Sequence, residues 1–188
     1  FYTKMNVTSP YKNFVGCHGE PDIMNAIKIL DEKYGKGNKY TDYLYNGKIL
    51  YYKSCFVMPW EMFDKVAKFI FGVLDALDAE YNLNFDAEKY KELYQRRVDE
   101  GIFRNKAWKT FELQRRGFGY LAERLVSAWL WVNIPLENIV FIKNGEYKKA
   151  LPPPASCNGN ETAKTLYVKK KFPINNATEI IKSVYGMY

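Results

Sequence analysis

Apolar side chains recur at intervals of three and four residues in three stretches of the chain, the spacing of one face of an α-helix. In the first stretch this stripe is Ile23, Ala26, Ile27 and Leu30, and Pro21 suits the first helical turn. Asp86 stands where the N-cap of the third helix is expected. The apolar pattern predicts helices over residues 21–34, 60–81 and 109–132, and the Asp86 cap predicts one over residues 87–98.

Two other stretches, residues 48–58 and 139–142, are rich in aromatic and β-branched residues and predict strands. Residues 1–20 contain Pro10, Gly16 and Gly19 and are expected to form a loop. Mixed helices and strands indicate the α/β class, with a mixed short sheet and several long helices. Residues 1–150 are expected to form one domain part, and residues 151–188 a linker and C-terminal extension with a strand within 165–172 and a helix at 177–185.

The predicted helix at residues 109–132 is apolar around much of its circumference. On a helical wheel Leu121, Leu125 and Trp129 share one side, and their apolar neighbours widen that face to about half of the circle. Glu123 and Arg124 fall on the remaining side, and adjacent residues of a helix do not face each other, so each is expected to need its own partner. Two interpretations stay open: a structural ion pair, or a carboxylate that accepts a proton beside a guanidinium that orients it.

Several classes of chemistry are excluded by what the sequence lacks. One histidine rules out multi-histidine metal centres, and the absence of a CxxC pair argues against a structural zinc site. There is no P-loop motif and no Asp-x-Asp pair, and residues 117–122 match GxGxxA by letter without following a predicted strand. Three widely spaced cysteines favour a reducing compartment, and no stretch is long and apolar enough to cross a bilayer.

The net charge of +7 suits a phosphate-bearing ligand, nucleic acid or an anionic membrane surface. His18 lies in the run from Gly16 to Asp22, which is expected to be a flexible loop just ahead of a helix N-terminus. Such a position is a plausible anion or ligand site. The alternative is a loop histidine with no special role.

Three blocks of residues resemble one bacterial family. Residues 116–130 (RGFGYLAERLVSAWL) are similar to its most specific motif, Arg-x-Phe-Gly-[Tyr/Phe]-[Leu/Ile]-[Ala/Ser]-Glu-Arg-Leu followed by Trp-Leu. Residues 52–58 with 60–63, and residues 11–18 with Asp22, resemble two further blocks in the same order. The family, long labelled a domain of unknown function, contains capsular and exopolysaccharide biosynthesis proteins, some of them galactofuranosyltransferases. Ser54 and Cys55 depart from its usual Asn and Met.

The resemblance implies a GT-A-like glycosyltransferase that uses a nucleotide-sugar donor, of which a UDP-linked sugar is one form. It implies Glu123 as the general base or acceptor-orienting carboxylate, with Arg124 and Arg116 holding that carboxylate or meeting donor phosphates. His18 and Asp22 are expected to line the donor site or to touch a divalent metal, whose identity stays unknown.

The chain itself is expected to be the acceptor-side, C-terminal part of this domain, without the nucleotide-binding half and incomplete as an enzyme. The acceptor is expected to be a glycan or a lipid-linked glycan, and the location cytoplasmic, including the inner face of the plasma membrane as a peripheral protein. Two other hypotheses stay open. One is a basic nucleic-acid-binding module, which no recognised motif supports, so nucleic acid is not among the expected partners. The other is a domain that packs against a protein partner.

Overall fold

The computed structural model describes residues 4–51, 56–143, 146–149 and 170–171. The described residues are mostly helical, with two small antiparallel sheets in place of one mixed sheet. The helices are α1 (Pro10–His18), α2 (Pro21–Tyr34), α3 (Lys39–Asn46), α4 (Trp60–Glu80), α5 (Ala87–Asp99), α6 (Phe111–Gln114) and α7 (Gly117–Asn133). The strands are β1 (Lys4–Asn6), β2 (Ile49–Tyr51), β3 (Val140–Lys143), β4 (Glu146–Lys149) and β5 (Lys170–Lys171). The broad α/β prediction is therefore confirmed.

The prediction of a loop over residues 1–20 is wrong, because β1 and α1 lie there. Helix α1 begins where the Ser9 hydroxyl accepts a hydrogen bond from the backbone N–H of Lys12 at 3.1 Å, with Pro10 in the first turn. Phe14 and His18, four residues apart, then face the core. Strand β1 pairs antiparallel with β2, with Met5 opposite Leu50. The capping and the burial outweigh the helix-weakening effect of the glycine at position 16.

Helices α2 and α4 confirm the predictions made from the apolar spacing, and α5 confirms the one made from the Asp86 cap. Helix α2 ends at Gly35, whose positive φ of 89° is available to glycine. The Asp86 carboxylate caps α5 by accepting from the backbone N–H groups of Glu88 and Lys89. Strand β2 is shorter than predicted, since residues 56–58 are not in a strand and residues 52–55 lie outside the described part.

The predicted helix at residues 109–132 is divided into two helices, α6 and α7, and a 3-10 turn lies just ahead of it. A 3-10 turn (Lys106–Trp108) and the short α6 come first, and α7 begins only at Gly117. A Cβ atom at position 117 would lie 3.0 Å from the Tyr90 hydroxyl and 3.7 Å from Oδ2 of Asp22, so glycine lets these two groups approach the end of α7. Gly117 therefore allows close packing. The element directly before it is α6 and not a strand, so the letters GxGxxA here do not form a dinucleotide-binding motif.

Helix α7 runs through the core and packs against α3, α4 and β2. Leu121 and Leu125 are fully buried, but so is Ser127 on the polar side of the helix. The Ser127 hydroxyl accepts from the backbone N–H of Tyr51 at 3.0 Å and thereby joins the end of β2 to α7. The helix is buried over most of its circumference, as its sequence predicts.

Strands β3, β4 and β5 form the second sheet, with β3 where a strand was predicted at residues 139–142 and β5 inside the predicted strand at 165–172. The predicted linker from residue 151 and the helix at 177–185 lie outside the described residues. Within the described ranges, no helix has the length and apolarity that a membrane crossing requires.

Candidate functional site

Polar side chains meet inside the protein where the end of α1 and the start of α2 approach α5, α6 and α7. All of them are at least partly buried, and most contact residues far away in sequence. We call this group the buried polar cluster, and its members are Asn13, His18, Asp22, Arg97, Gln114 and Arg124.

His18 is the last residue of α1, not part of a flexible loop as predicted, and only 2% of it is exposed. Its ring stacks on Tyr120 with a centroid distance of 4.2 Å, and Trp108 meets it edge-on at 5.1 Å. Burial lowers the pKa of His18 to about 4, and a hydrogen bond of its Nδ1 with Gln114 opposes this shift. The imidazole is therefore neutral at pH 7 and is held in place by its neighbours.

Gln114 connects three separate segments through its amide group and backbone. Its Nε2 donates to the carbonyl oxygens of Cys17 at 3.0 Å and Trp108 at 2.5 Å, while its own backbone carbonyl accepts from the Tyr90 hydroxyl. This role cannot be predicted from the sequence, because the fold brings Cys17 and Tyr90 close to Gln114. Only its place at the break between α6 and α7 distinguishes it in retrospect.

Asp22 and Arg97 form a buried ion pair between α2 and α5. Arg97 Nη2 lies 2.5 Å from Oδ1 of Asp22, and Nη1 lies 3.1 Å from Oδ2. Burial lowers the pKa of the Arg97 guanidinium, but the charge and hydrogen bonds of Asp22, together with Tyr81 and Tyr90, outweigh burial, so the net shift is upward. The guanidinium also lies over the Tyr81 ring at 5.0 Å. Both oxygens of Asp22 are thus occupied by Arg97, which the sequence analysis did not identify.

Glu123 and Arg124 contact each other directly, although separate partners were expected for them. Arg124 Nη1 lies 3.1 Å from Oε2 of Glu123 and donates to the Tyr120 carbonyl at 2.8 Å, while Nη2 donates to Asn13 Oδ1 at 2.5 Å. The expectation failed because a long arginine side chain can fold back along its own helix, where Cβ directions alone do not decide contact. Burial lowers the pKa of Arg124, and the Glu123 charge opposes that shift.

The two side chains of this pair differ in their access to solvent. The Arg124 side chain is 6% exposed and lies over the Phe14 ring, with 5.6 Å between the guanidinium carbon and the ring centroid. The Glu123 side chain is 20% exposed. The Glu123 carboxylate therefore lies nearer the surface, and the buried Arg124 guanidinium holds it in place.

Arg116 is exposed at the start of α7, and its guanidinium lies 5.4 Å from the centre of the Tyr120 ring. Tyr120 in turn stacks on His18, so these two predicted residues share one aromatic neighbour. The structure thus brings Glu123 into contact with Arg124, and Arg116 and His18 into contact with Tyr120. Asp22 lies with Arg97 instead, although its charge still acts on His18.

No group of three or more His, Cys, Asp or Glu side chains within the described ranges is arranged to hold a metal ion. Asp22 was the acidic residue expected to touch a metal, and its oxygens bind Arg97. The donor set around Asp22 therefore does not fit a divalent cation.

The fold and cluster define a mostly helical α/β protein with a buried network of charged and aromatic side chains. A family profile matches residues 2–105, more than half of the chain, and the family is described as Domain of unknown function (DUF4422). The chain belongs to that family. Comparison with curated proteins gave no match, and comparison with solved structures gave none either. The matched residues include His18, Asp22 and Arg97 and end before α7 begins.

We predict that the Asp22–Arg97 pair is essential to stability as a pair. Arg97→Met should lower the free energy of unfolding by about 3–5 kcal/mol, because it leaves a buried carboxylate without its counter-charge. Asp22→Asn combined with Arg97→Met should be less destabilised than Arg97→Met alone, as measured by urea unfolding. The matched control is Lys28→Met, which breaks the exposed Lys28–Glu80 pair and should cost less than about 1 kcal/mol. Equal costs for Arg97→Met and Lys28→Met would contradict the structural role.

We predict that the single histidine of the chain titrates near pH 4 in the folded protein and near its ordinary pKa of 6.5 in urea. Because the folded pKa is the lower one, the unfolded chain binds more protons between these values. This contribution to stability is complete above pH 6.5 and is lost as the pH falls toward 4. The ring proton resonance of His18 in NMR spectra measures both values without assignment ambiguity. His18→Phe should remove this part of the pH dependence, and a folded-state titration near pH 6.5 would show that the ring is not buried as described.

Proposed function

We propose that this chain is part of a glycosyltransferase that moves a sugar from a nucleotide-sugar donor to a growing surface polysaccharide. The observation that supports the proposal is the Glu123–Arg124 pair, in which a partly exposed carboxylate is fixed by an almost fully buried guanidinium. A general base needs both properties, since it must reach its substrate and keep one orientation. The resemblance of residues 116–130 to polysaccharide biosynthesis proteins supplies the choice of reaction.

In the proposed reaction, the acceptor hydroxyl oxygen forms a bond to the anomeric carbon of the donor sugar. The bond between that carbon and the diphosphate oxygen breaks, and its electron pair leaves with the nucleoside diphosphate. Glu123 accepts the hydroxyl proton, and Arg124 holds the carboxylate in place from the side of Asn13. Arg116, exposed at the N-cap of α7 about two turns before Glu123, meets the negative charge that develops on the leaving diphosphate.

His18 and Asp22 take a supporting place in this proposal. His18 orients Tyr120 by stacking on its ring. Arg116 also contacts that ring, and the Tyr120 carbonyl accepts a hydrogen bond from Arg124. Asp22 holds the start of α2 against α5 through Arg97. Neither residue needs to touch the donor, and the proposal assigns no step to a metal.

We predict that Glu123→Gln in the natural full-length protein lowers turnover by about 10²–10⁴-fold, the usual contribution of a general base. The assay measures release of UDP from a panel of UDP-hexoses in the presence of lipid-linked oligosaccharide acceptors. The control is Glu112→Gln, an exposed carboxylate just before α7 that should leave turnover unchanged. Urea unfolding of each variant separates loss of chemistry from loss of fold. Normal turnover in Glu123→Gln would exclude the base role, and absence of transfer by the wild type with every donor would contradict the proposed function.

A specific feature of α4 favours a second candidate function, that of a self-associating interaction domain. Trp60 is 75% exposed, Phe63 40% and Phe71 60%, so the outer side of this helix is strongly apolar. The apolar positions 60, 63, 67, 70 and 74 alternate steps of three and four residues, the spacing of a helix–helix seam, and Ile70 and Leu74 at one edge of it also pack against the core. The small Ala67 stands at the centre of this stripe, with larger side chains on either side.

This arrangement complements itself in an antiparallel pairing of two copies centred on Ala67. Phe63 of one copy then meets Phe71 of the second, and Trp60 meets the part of Leu74 that the core leaves exposed. Asp64 and Lys68 already neutralise each other beside the stripe, at 2.7 Å, so they do not oppose the approach of a second copy. Aromatic side chains contribute about 150–250 Å² each when they are buried, and a stable interface needs roughly 800 Å² per partner.

We predict that the protein self-associates with rising concentration in sedimentation velocity experiments. Trp60→Glu and Phe71→Glu should each shift it to the monomer, since each would bury a charge in the apolar contact. Met24→Glu, which changes an exposed apolar residue on α2, is the control and should associate as the wild type does. A wild-type protein that stays monomeric at high concentration would rule out the pairing.

A further inference from the structure

A surface pocket of about 350 Å³ lies between α1 and the segment that follows α5. We call it the α1 pocket. It is lined on one side by α1 and on the other by residues 104 and 105, and its members are Tyr11, Lys12, Val15, Gly16, Arg104 and Asn105. Its volume is at the small end of the range for small-molecule sites. None of these residues has a role in the proposed transfer reaction.

Both walls of the α1 pocket are fixed by contacts outside it. On the far wall, Gly19 approaches Ile102 so closely that a Cβ atom there would lie 2.6 Å from the isoleucine side chain. The Asn105 side chain accepts from the backbone N–H of Ala107, and Trp108 packs on His18. These contacts hold Arg104 and Asn105 against α1, so the opening is a formed feature of the fold.

Gly16 is a glycine for which packing gives no reason. It lies inside α1, where glycine costs roughly 1 kcal/mol relative to alanine. A Cβ atom at this position would meet no other atom within 4 Å, whereas one at Gly47 or Gly117 would crowd a tyrosine. A side chain at position 16 would instead extend into the pocket. The glycine keeps that space open at a cost in helix stability.

The charge of the pocket is positive. Lys12 and Arg104 both line it, and neither takes part in the ion pairs found among the described residues. The acidic group nearby is Glu20, which accepts a hydrogen bond from the Tyr11 hydroxyl. Tyr11 itself stays neutral, because the hydrogen bond to Glu20 and burial raise its pKa to about 12. The beginning of α1, with its positive dipole end, adds to the same potential.

We propose that the α1 pocket binds the diphosphate ester of a small molecule. The phosphates lie between Lys12 and Arg104, and the attached group rests on Tyr11 and Val15 in the space that Gly16 leaves. Two cations can neutralise two phosphate charges, and the tyrosine ring and valine offer an apolar surface to a base, a sugar or an isoprenoid chain. Diphosphate binding in this pocket does not depend on the transferase activity, because binding requires no turnover. A nucleoside diphosphate and a lipid diphosphate are the two sources of this chemistry.

The test is isothermal titration of the natural full-length protein with UDP, geranyl diphosphate and uridine. At least one of the two diphosphates should bind, and uridine should not, because it lacks the charged group. The stronger of the two ligands identifies the source. Lys12→Gln and Arg104→Gln should each weaken binding by about tenfold. Binding should also weaken with added salt, as expected for phosphate held by partly exposed cations.

Gly16→Leu tests the space itself and should abolish the binding event that Lys12→Gln and Arg104→Gln weaken. Diphosphate binding beside Arg116 should persist, and so should the helix, since leucine is the better helix former. Gly119→Leu is the matched control, an exposed glycine of α7 whose Cβ position is equally open, and it should bind as the wild type does. Unchanged binding in Gly16→Leu, or failure of the wild type to bind either diphosphate, would overturn the proposal. Binding lost in Gly16→Leu by a protein that transfers no sugar would uphold the pocket and contradict only the proposed function. Sugar transfer by a protein whose diphosphate binding is unchanged in Gly16→Leu would support the proposed function and contradict the pocket.

Discussion

Burial of α7 on nearly every side means that its polar groups need partners inside the protein, and among its buried side-chain polar atoms only Nε of Arg124 lacks one. Ser127 meets the end of β2, and Arg124 meets Asn13 on α1 and Glu123 on its own helix. At the start of the helix, Gly117 makes room for Asp22 and Tyr90. A buried polar group without a partner costs several kcal/mol, so these bonds also fix where α1, α2 and β2 lie. The positions of α1, α2 and β2 therefore follow from the hydrogen bonds that the polar groups of α7 require.

The sequence predicted those elements that depend on neighbouring residues. The apolar spacing is enough for α2 and α4, and the Asp86 side chain with its nearby backbone partners is enough for the start of α5. The break between α6 and α7 could not be predicted, because its cause is the approach of Tyr90 and Asp22 to Gly117. The loop predicted for residues 1–20 failed for a related reason. A single hydroxyl cap at Ser9 and burial against the core make α1 a helix in spite of Gly16.

The candidate site divides in the same way. Glu123 and Arg124 stood out because charges on an apolar helix are costly, and the structure shows them paired. Arg97 and Gln114 did not stand out, because their partners Asp22 and Cys17 are more than seventy residues away along the chain. His18 was noticed as the single histidine, but its burial under Tyr120 and Trp108 is a tertiary fact. Charged residues within an apolar helix are therefore easier to predict from the sequence than residues whose partners lie far away along the chain.

The burial of His18 has a consequence for how the cluster responds to acidity in its surroundings. Its imidazole stays neutral, burial raises the pKa of the Cys17 thiol, and burial also moves the pKa of Tyr90 upward. None of these three groups changes its charge between mild acidity and mild alkalinity. A phosphate monoester, by contrast, loses its second proton near pH 6. Sensitivity to pH in that range would therefore not come from these three groups, which form a fixed electrostatic frame around a bound molecule.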